Sequence, residues 1–141
     1  MAITSEATTV WNGTLFEGEG TVSLDSSQAA ELRVDWKTRA EGGVGTSTPE
    51  ELIAAAHSSC FSMAFSNALT QAGFPPTAIQ TTAAVTFQPG TGILGSHLLV
   101  NATVPGVSDE QFAAIAEDAK ANCPVSQALA AIPITLEASL A

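Results

Sequence analysis

Two thiols carry the chemical interest of this sequence: Cys60 in "AAAHSSCFSMAF" and Cys123 in "KANCPVSQAL". A thiolate attacks electrophilic oxygen or sulfur, and a second thiol within reach condenses with the oxidised product, so the two suit a reactive and a resolving sulfur. Cys123 precedes Pro124 at the start of a helical segment, where free backbone N–H groups lower a thiol pKa. Cys60 falls in mid-helix by pattern, beyond its own helix's N-terminal dipole, and needs another source of thiolate stabilisation. The competing readings are structural: Cys60 as a small apolar residue in an alanine-rich core, Cys123 as a residue at a helix break. Two cysteines are too few for a disulfide scaffold.

Arg39 and Glu50 are the charged candidates beside these thiols. A guanidinium is always charged and can fork-bind a carboxylate while stabilising a thiolate, so an Arg39–Glu50 pair is a sensible activator for Cys60; the alternative is two solvated surface charges. Glu50 and Cys60 stand about 15 Å apart along a straight helix and cannot meet within it. Two copies packed antiparallel about a two-fold axis would bring Glu50 of one chain near Cys60 of the other. His57, three residues before Cys60 on the same helical face, could act as a base, although such a histidine is more often hydrogen-bonded structure. His57, Cys60, His97 and Cys123 are also of zinc-ligand type, but their spacing matches no common finger or ribbon. There is no Walker loop, no G-x-S-x-G elbow and no dinucleotide fingerprint.

The elements that must position these side chains are well marked. "TTVWNG", "TLFEGEGTVSLD" and "ELRVDWKTRA" carry Trp11, Leu15, Val22, Leu24, Leu32, Val34 and Trp36 at period-two spacing, which predicts about three short antiparallel strands, with Arg39 following the third. "EGGVGTS" is a flexible connection. A helix then starts at Thr48 as N-cap, with Pro49 at its first position and Glu51 completing a T-x-x-E capping box. Gly73, Pro75 and Pro76 end it. Its apolar residues go nearly all round, which predicts burial on most faces. A helix of about 36 Å with that girth exceeds what one sheet covers, so a second subunit is expected to cover the rest. Two longer strands follow, joined by a glycine-rich turn near Gly90–Gly95. A helix capped from Ser108 to Gln111, a helical restart after Pro124 and a closing strand complete an α+β arrangement. Ile53, Phe61, Met63 and Phe65 suggest an apolar channel for a substrate.

At 141 residues and 45% hydrophobic content, the chain suits one domain spanning 1–141. No apolar run approaches the roughly 20 residues of a membrane span, and the N-terminus lacks a secretory pattern, so a cytoplasmic location is expected. Fourteen acidic residues against four basic ones give a formal charge of −10. That charge repels phosphate backbones and anionic membranes, which disfavours nucleic acid or membrane as partners. Arg33, Lys37, Arg39 and Lys120 are the whole cationic inventory.

"TRAEGGVGTSTPEELIAAAHSSCFSMAFSNALTQAGF", with "NCPVSQAL" later, resembles the OsmC/Ohr family of thiol-dependent peroxidases, the OsmC branch more than the Ohr branch. The resemblance extends to "WNGTLFEGEGTVSLDS" and "IPITLEASL", hence to almost the whole chain. It implies an intertwined homodimer with long central helices packed between antiparallel sheets. It also implies reduction of organic hydroperoxides, and less efficiently hydrogen peroxide, to alcohol and water. By position it places Cys60 as the peroxidatic cysteine, Cys123 as the resolving one, Arg39 as the activating arginine and Glu50 as that arginine's partner. A Cys60 sulfenic acid would condense with Cys123 to a disulfide that a dithiol reopens, a lipoylated protein in the Ohr branch. No cofactor and no metal are implied, since sulfur carries the electrons. The Ohr branch lacks a counterpart of His57. Two other readings fit the pattern of elements or thiols: a hot-dog thioesterase, which needs no paired cysteines, and a non-enzymatic thiol redox sensor.

Overall fold

The computed structural model describes all residues, 1–141. The chain divides into two compact units, Met1–Leu52 and Ile53–Ala141. In the first, strands β1 (Thr8–Asn12), β2 (Glu19–Ser23) and β3 (Glu31–Val34) form an antiparallel sheet in the order β1-β2-β3. The third strand is shorter than period-two spacing predicts. It stops at Val34 because Asp35 is extended and its carboxylate accepts the Thr38 N–H at 2.7 Å, capping a short helix α1 (Trp36–Glu41). Trp36 and Arg39 are therefore helical, and Gly42, at φ 80°, ends the turn. After the loop, Ser47 returns to β3, its N–H bonded to the Arg33 carbonyl at 2.8 Å.

Helix α2 (Pro49–Gln71) starts where the capping signals put it. Thr48 Oγ1 accepts the Glu51 N–H at 3.0 Å, while the Glu51 carboxylate takes the Ser47 hydroxyl at 2.7 Å. Serine and threonine within such an apolar helix are tolerated because their hydroxyls bond back to carbonyls one turn earlier: Ser59 to Ala55, Ser62 to Ser58 and Thr70 to Ser66, each at 2.8 Å. Burial within the chain is one-sided rather than all-round. His57, Phe61, Phe65 and Leu69 are fully enclosed, whereas Ala55, Ala56, Ser59, Met63 and Asn67 are exposed, Met63 at 71%.

In the second unit, β4 (Ala78–Gln88) and β5 (Gly92–Thr103) form a long antiparallel hairpin with a register shift at Thr86/Phe87. The turn itself is confined to Pro89–Thr91, and Gly95 lies inside β5, where the Pro133 carbonyl sits 3.0 Å from any Cβ placed there. Helix α3 (Asp109–Asn122) has the reciprocal capping box of Ser108 and Gln111. Helix α4 (Pro124–Ala128) restarts at once after Cys123, and β6 (Ile134–Leu140) closes the sheet in the order β4-β5-β6. Antiparallel pairing holds for the first sheet and the hairpin, but β6 runs parallel to β5. The intervening α3 and α4 supply the crossover that parallel neighbours require.

The core of this unit stacks the enclosed stripe of α2 with Leu98, Val100 and Ala102 of β5 and Phe112, Ala116 and Ala119 of α3. Phe65 is central, its ring 5.5 Å from Phe61 and 5.3 Å from Phe112. No helix is long and apolar enough to cross a membrane. Phe65→Ala should cost about 3–5 kcal/mol in denaturant unfolding. Ser108→Ala, which removes only a cap, should cost about 1 kcal/mol; equal losses would show that the aromatic stack is not central to the core.

Candidate active site

Packing of α2 against α3 carries Cys60, half-buried beside the enclosed stripe, to the α3–α4 junction. There its sulfur lies 3.2 Å from that of the buried Cys123. Both thiols are free, and they are close enough to share a proton. Cys123 follows the last turn of α3 and precedes Pro124 at the first position of α4, so the N–H groups at the start of α4 have no helical partner. Burial pushes the Cys60 thiol up; the Val125 N–H opposes this, and the neighbouring Cys123 sulfur reinforces it. Burial also acts to raise Cys123, but it is outweighed by donors, first the Ser126 N–H, then the Cys60 thiol, the Ser126 hydroxyl and the Val125 N–H. Burial thus disfavours the thiolate at Cys60, while the α4 donors favour it at Cys123.

His57 lies one turn before Phe61 on the enclosed stripe and is fully buried. Its Nδ1 is 2.7 Å from Ser96 Oγ on β5 and its Nε2 is 2.8 Å from Ser126 Oγ on α4. Burial lowers its pKa, which keeps the ring neutral. Both ring nitrogens are thus engaged by hydroxyls and neither is open to a metal. His97 is instead exposed on β5, with Nδ1 2.7 Å from Thr135 Oγ1 and Nε2 3.7 Å from the Glu137 carboxylate. No group of three or more His, Cys, Asp or Glu side chains is arranged to hold a metal ion. Neither Ser96 nor Ser126 stands out in the sequence. The signal that points to them is a histidine at four-residue spacing with Phe61, Phe65 and Leu69, because an imidazole on such a stripe must find polar partners.

In the first unit, Arg39 and Glu50 form the pair that their types suggested. Arg39 Nε lies 3.1 and 3.3 Å from the two Glu50 oxygens, and Nη2 lies 2.8 Å from Oε1. Glu50 is only 5% exposed, so the guanidinium is what makes its burial affordable. The last turn of α1 presents the arginine and the first turn of α2 presents the glutamate. An apolar cavity of about 320 Å³ opens beside them, walled chiefly by Trp11, Leu15, Val34, Trp36 and Leu52, with Arg39 in its lining. The apolar channel expected from Ile53, Phe61, Met63 and Phe65 is not one surface: both phenylalanines are sealed in the core and Met63 faces outward.

Two thiols in contact on an α+β frame, with a guanidinium–carboxylate pair in the same chain, define a candidate thiol redox protein. Residues 40–137 match the family described as OsmC-like protein, and the chain belongs to the OsmC family. It is 44% identical over 143 residues to Peroxiredoxin OsmC of Escherichia coli (strain K12), covering 99% of each chain. Among solved structures it resembles an organic hydroperoxide resistance protein of Elizabethkingia anophelis, with a TM-score of 0.69 at 26% identity over 100% of this chain and 97% of the other. It also resembles an OsmC-like protein of Mycoplasma pneumoniae, with a TM-score of 0.74 over 99% of both chains; at 13% identity that likeness is one of fold. Family membership displaces the hot-dog thioesterase reading.

The His57 environment carries a pH signature. The unfolded chain protonates this ring near 6.5, the folded chain only at lower pH. Between those values the unfolded state binds more protons, so stability falls as pH drops below 6.5, and the loss is complete below the folded value. Thermal midpoints across this range should fall less steeply for His57→Gln than for wild type; parallel slopes would mean that His57 is not buried neutral.

Proposed function

We propose that the chain is a cysteine-based peroxidase that reduces organic hydroperoxides, and less efficiently hydrogen peroxide, to alcohol and water. The observation that carries this reading is the 3.2 Å contact between Cys60 and Cys123 in a chain of the OsmC family. A proton moving across that contact from Cys60 to Cys123 makes Cys60 the thiolate. A second copy of the chain, its helix packed antiparallel, would bring its own Arg39–Glu50 pair to this thiol, and the guanidinium favours the shift. The Cys60 thiolate attacks the outer peroxide oxygen, the O–O bond breaks, and the departing alkoxide takes the proton held by Cys123 to become the alcohol, which leaves Cys123 as the thiolate. The resulting Cys60 sulfenic acid then meets the Cys123 thiolate. The S–S bond forms as the S–O bond breaks, and hydroxide leaves with a proton as water.

The two sulfurs need only close from contact to the ~2.05 Å of a disulfide. A dithiol, of lipoyl type in our reading, reopens the bond by exchange and leaves as its own disulfide. No cofactor is required, because the two thiols supply both electrons. The apolar cavity beside Arg39 suits the alkyl part of an organic hydroperoxide better than the small, polar hydrogen peroxide.

We further propose that residues 1–141 act as one functional domain completed by a second copy of the chain. The exposed Ala55, Ala56, Ser59 and Met63 of α2 offer a face of small and apolar residues for the antiparallel helix of a homodimer. A cytoplasmic location supplies the reducing conditions that keep both thiols available.

Consumption of an alkyl hydroperoxide with dihydrolipoamide provides the test. Cys60→Ser should lose at least about a thousandfold in turnover. Arg39→Lys, which keeps the charge but not the fork, should lose about a hundredfold. Cys123→Ser should accumulate Cys60 sulfenic acid and form no intramolecular disulfide. Equal peroxide loss in all proteins would sink the peroxidase reading, and one stoichiometric oxidation without turnover would favour the redox sensor.

A further inference from the structure

Two contacts between α2 and the start of α4 run side by side. His57 and Cys60 stand one turn apart on α2, and Cys123 and Ser126 have the same spacing, at the cap and in the first turn of α4. Cys60 Sγ lies 3.2 Å from Cys123 Sγ, and His57 Nε2 lies 2.8 Å from Ser126 Oγ. The sulfur contact is thus flanked by a hydrogen bond between the same two helices. Both partners of that bond are buried, so water does not compete for them. On the far side of the ring, Nδ1 lies 2.7 Å from Ser96 Oγ, which fixes the imidazole from β5. A neutral imidazole has one N–H, and a serine hydroxyl can donate or accept. Whichever nitrogen carries the hydrogen, the other accepts one, so both bonds form in either tautomer.

Helix α4 needs such a tie. It has five residues, its N-cap makes no side-chain cap hydrogen bond, and so short a helix has little cooperative stability of its own. Val125 packs against the core, but apolar contact is non-directional. The His57–Ser126 bond is the one side-chain hydrogen bond that joins α4 to another element.

We propose that His57 is a positioning residue for disulfide formation: fixed to β5 through Ser96, it holds Ser126 and with it the start of α4, so that Cys123 stays in register with Cys60. Closing from 3.2 Å to the ~2.05 Å of a disulfide is then a movement the two thiol side chains can make while this strut stays in place. In catalysis the strut serves the step in which Cys123 displaces water from the Cys60 sulfenic acid, and that role rests on the peroxidase reading. The equilibrium of the two thiols does not.

The test is therefore the equilibrium of the folded protein with glutathione. Cys60 and Cys123 each give up a hydrogen, their S–S bond forms, and one glutathione disulfide is reduced to two glutathione thiols. The constant measures the effective concentration of one protein thiol toward the other, and below the midpoints of both thiols ionisation does not enter it. Ser126→Ala should lower it roughly three- to tenfold. His57→Asn and His57→Gln separate the two ring contacts, since an asparagine amide reaches about as far as Nδ1 and a glutamine amide about as far as Nε2. The glutamine variant should stay within about twofold of the unmutated protein. The asparagine variant should fall as far as Ser126→Ala, and combining the two should lower the constant no further. Ser108→Ala, which removes a cap at the far end of α3, should leave the constant unchanged and so separates position from stability.

Equal constants for folded Ser126→Ala and unmutated protein, or for His57→Asn and His57→Gln, would overturn the proposal. Nitrogen-15 NMR of the unmutated protein needs no variant: both ring nitrogens should keep hydrogen-bonded shifts in the dithiol and disulfide forms. Loss of the Nε2 bond in the disulfide form would equally overturn it. Failure of the peroxidase reading shows separately, as absent hydroperoxide turnover in a chain whose thiols equilibrate as described.

Discussion

Four residues of α2 at four-residue spacing, His57, Phe61, Phe65 and Leu69, are fully enclosed, and the placement of both thiols follows from that stripe. Phe61, Phe65 and Leu69 seat the helix against β5 and α3; each buried side chain of this size is worth about 1.5–3 kcal/mol relative to exposure. Cys60, next to Phe61, is thereby fixed laterally with respect to the end of α3. A slip of one turn along this interface would move its sulfur by about 5.4 Å, more than the entire distance to Cys123. His57 continues the stripe with a polar group and ties α2 to β5 and α4 through two hydroxyls. Apolar packing sets the approach of the helices, and the imidazole adds one polar tie to β5 and one to α4.

The electrostatics of the chain are built on scarcity. A chain with fourteen acidic and four basic residues commits one of its few cations, Arg39, to a nearly enclosed carboxylate. Removing the guanidinium would leave Glu50 buried without a counter-charge, a loss typically of several kcal/mol. The pair holds a cation in fixed orientation with little net charge. At the thiols the stabilising groups are neutral dipoles instead: N–H groups at the start of α4 and the Ser126 hydroxyl. Such donors favour a thiolate without a counter-charge, and more at Cys123 than at Cys60. A proton shared over 3.2 Å can therefore be redistributed by a nearby charge or by oxidation of either partner.

Much of the fold was legible in short-range signals. Thr48–Pro49, Ser108–Gln111 and Cys123–Pro124 mark three helix starts, and the structure shows each at that place. These signals work because capping hydrogen bonds and the fixed φ of proline act within three or four residues. The end of β3 is not legible in the pattern, because Leu32, Val34 and Trp36 keep period-two spacing through Asp35, although the Asp35 cap to Thr38 decides for helix. The one-sided burial of α2 was also illegible, since its composition is apolar on nearly every face and periodicity then carries no direction.

The sequence by itself determined which side chains could do chemistry, Cys60, Cys123, Arg39 and Glu50, and the local elements that present them. Only the tertiary structure decided their partners. The sulfurs meet across 63 positions of chain, and His57 reaches Ser96 across 39 and Ser126 across 69. Likewise, only the parallel addition of β6 and the wrapping of α3 and α4 place the α4 dipoles beside two thiols rather than in water. The physical reason is range. Caps and turns are short-range and can be read along the chain, whereas the proton affinity of a buried group depends on desolvation and on whichever distant dipoles the packed core brings within about 4 Å.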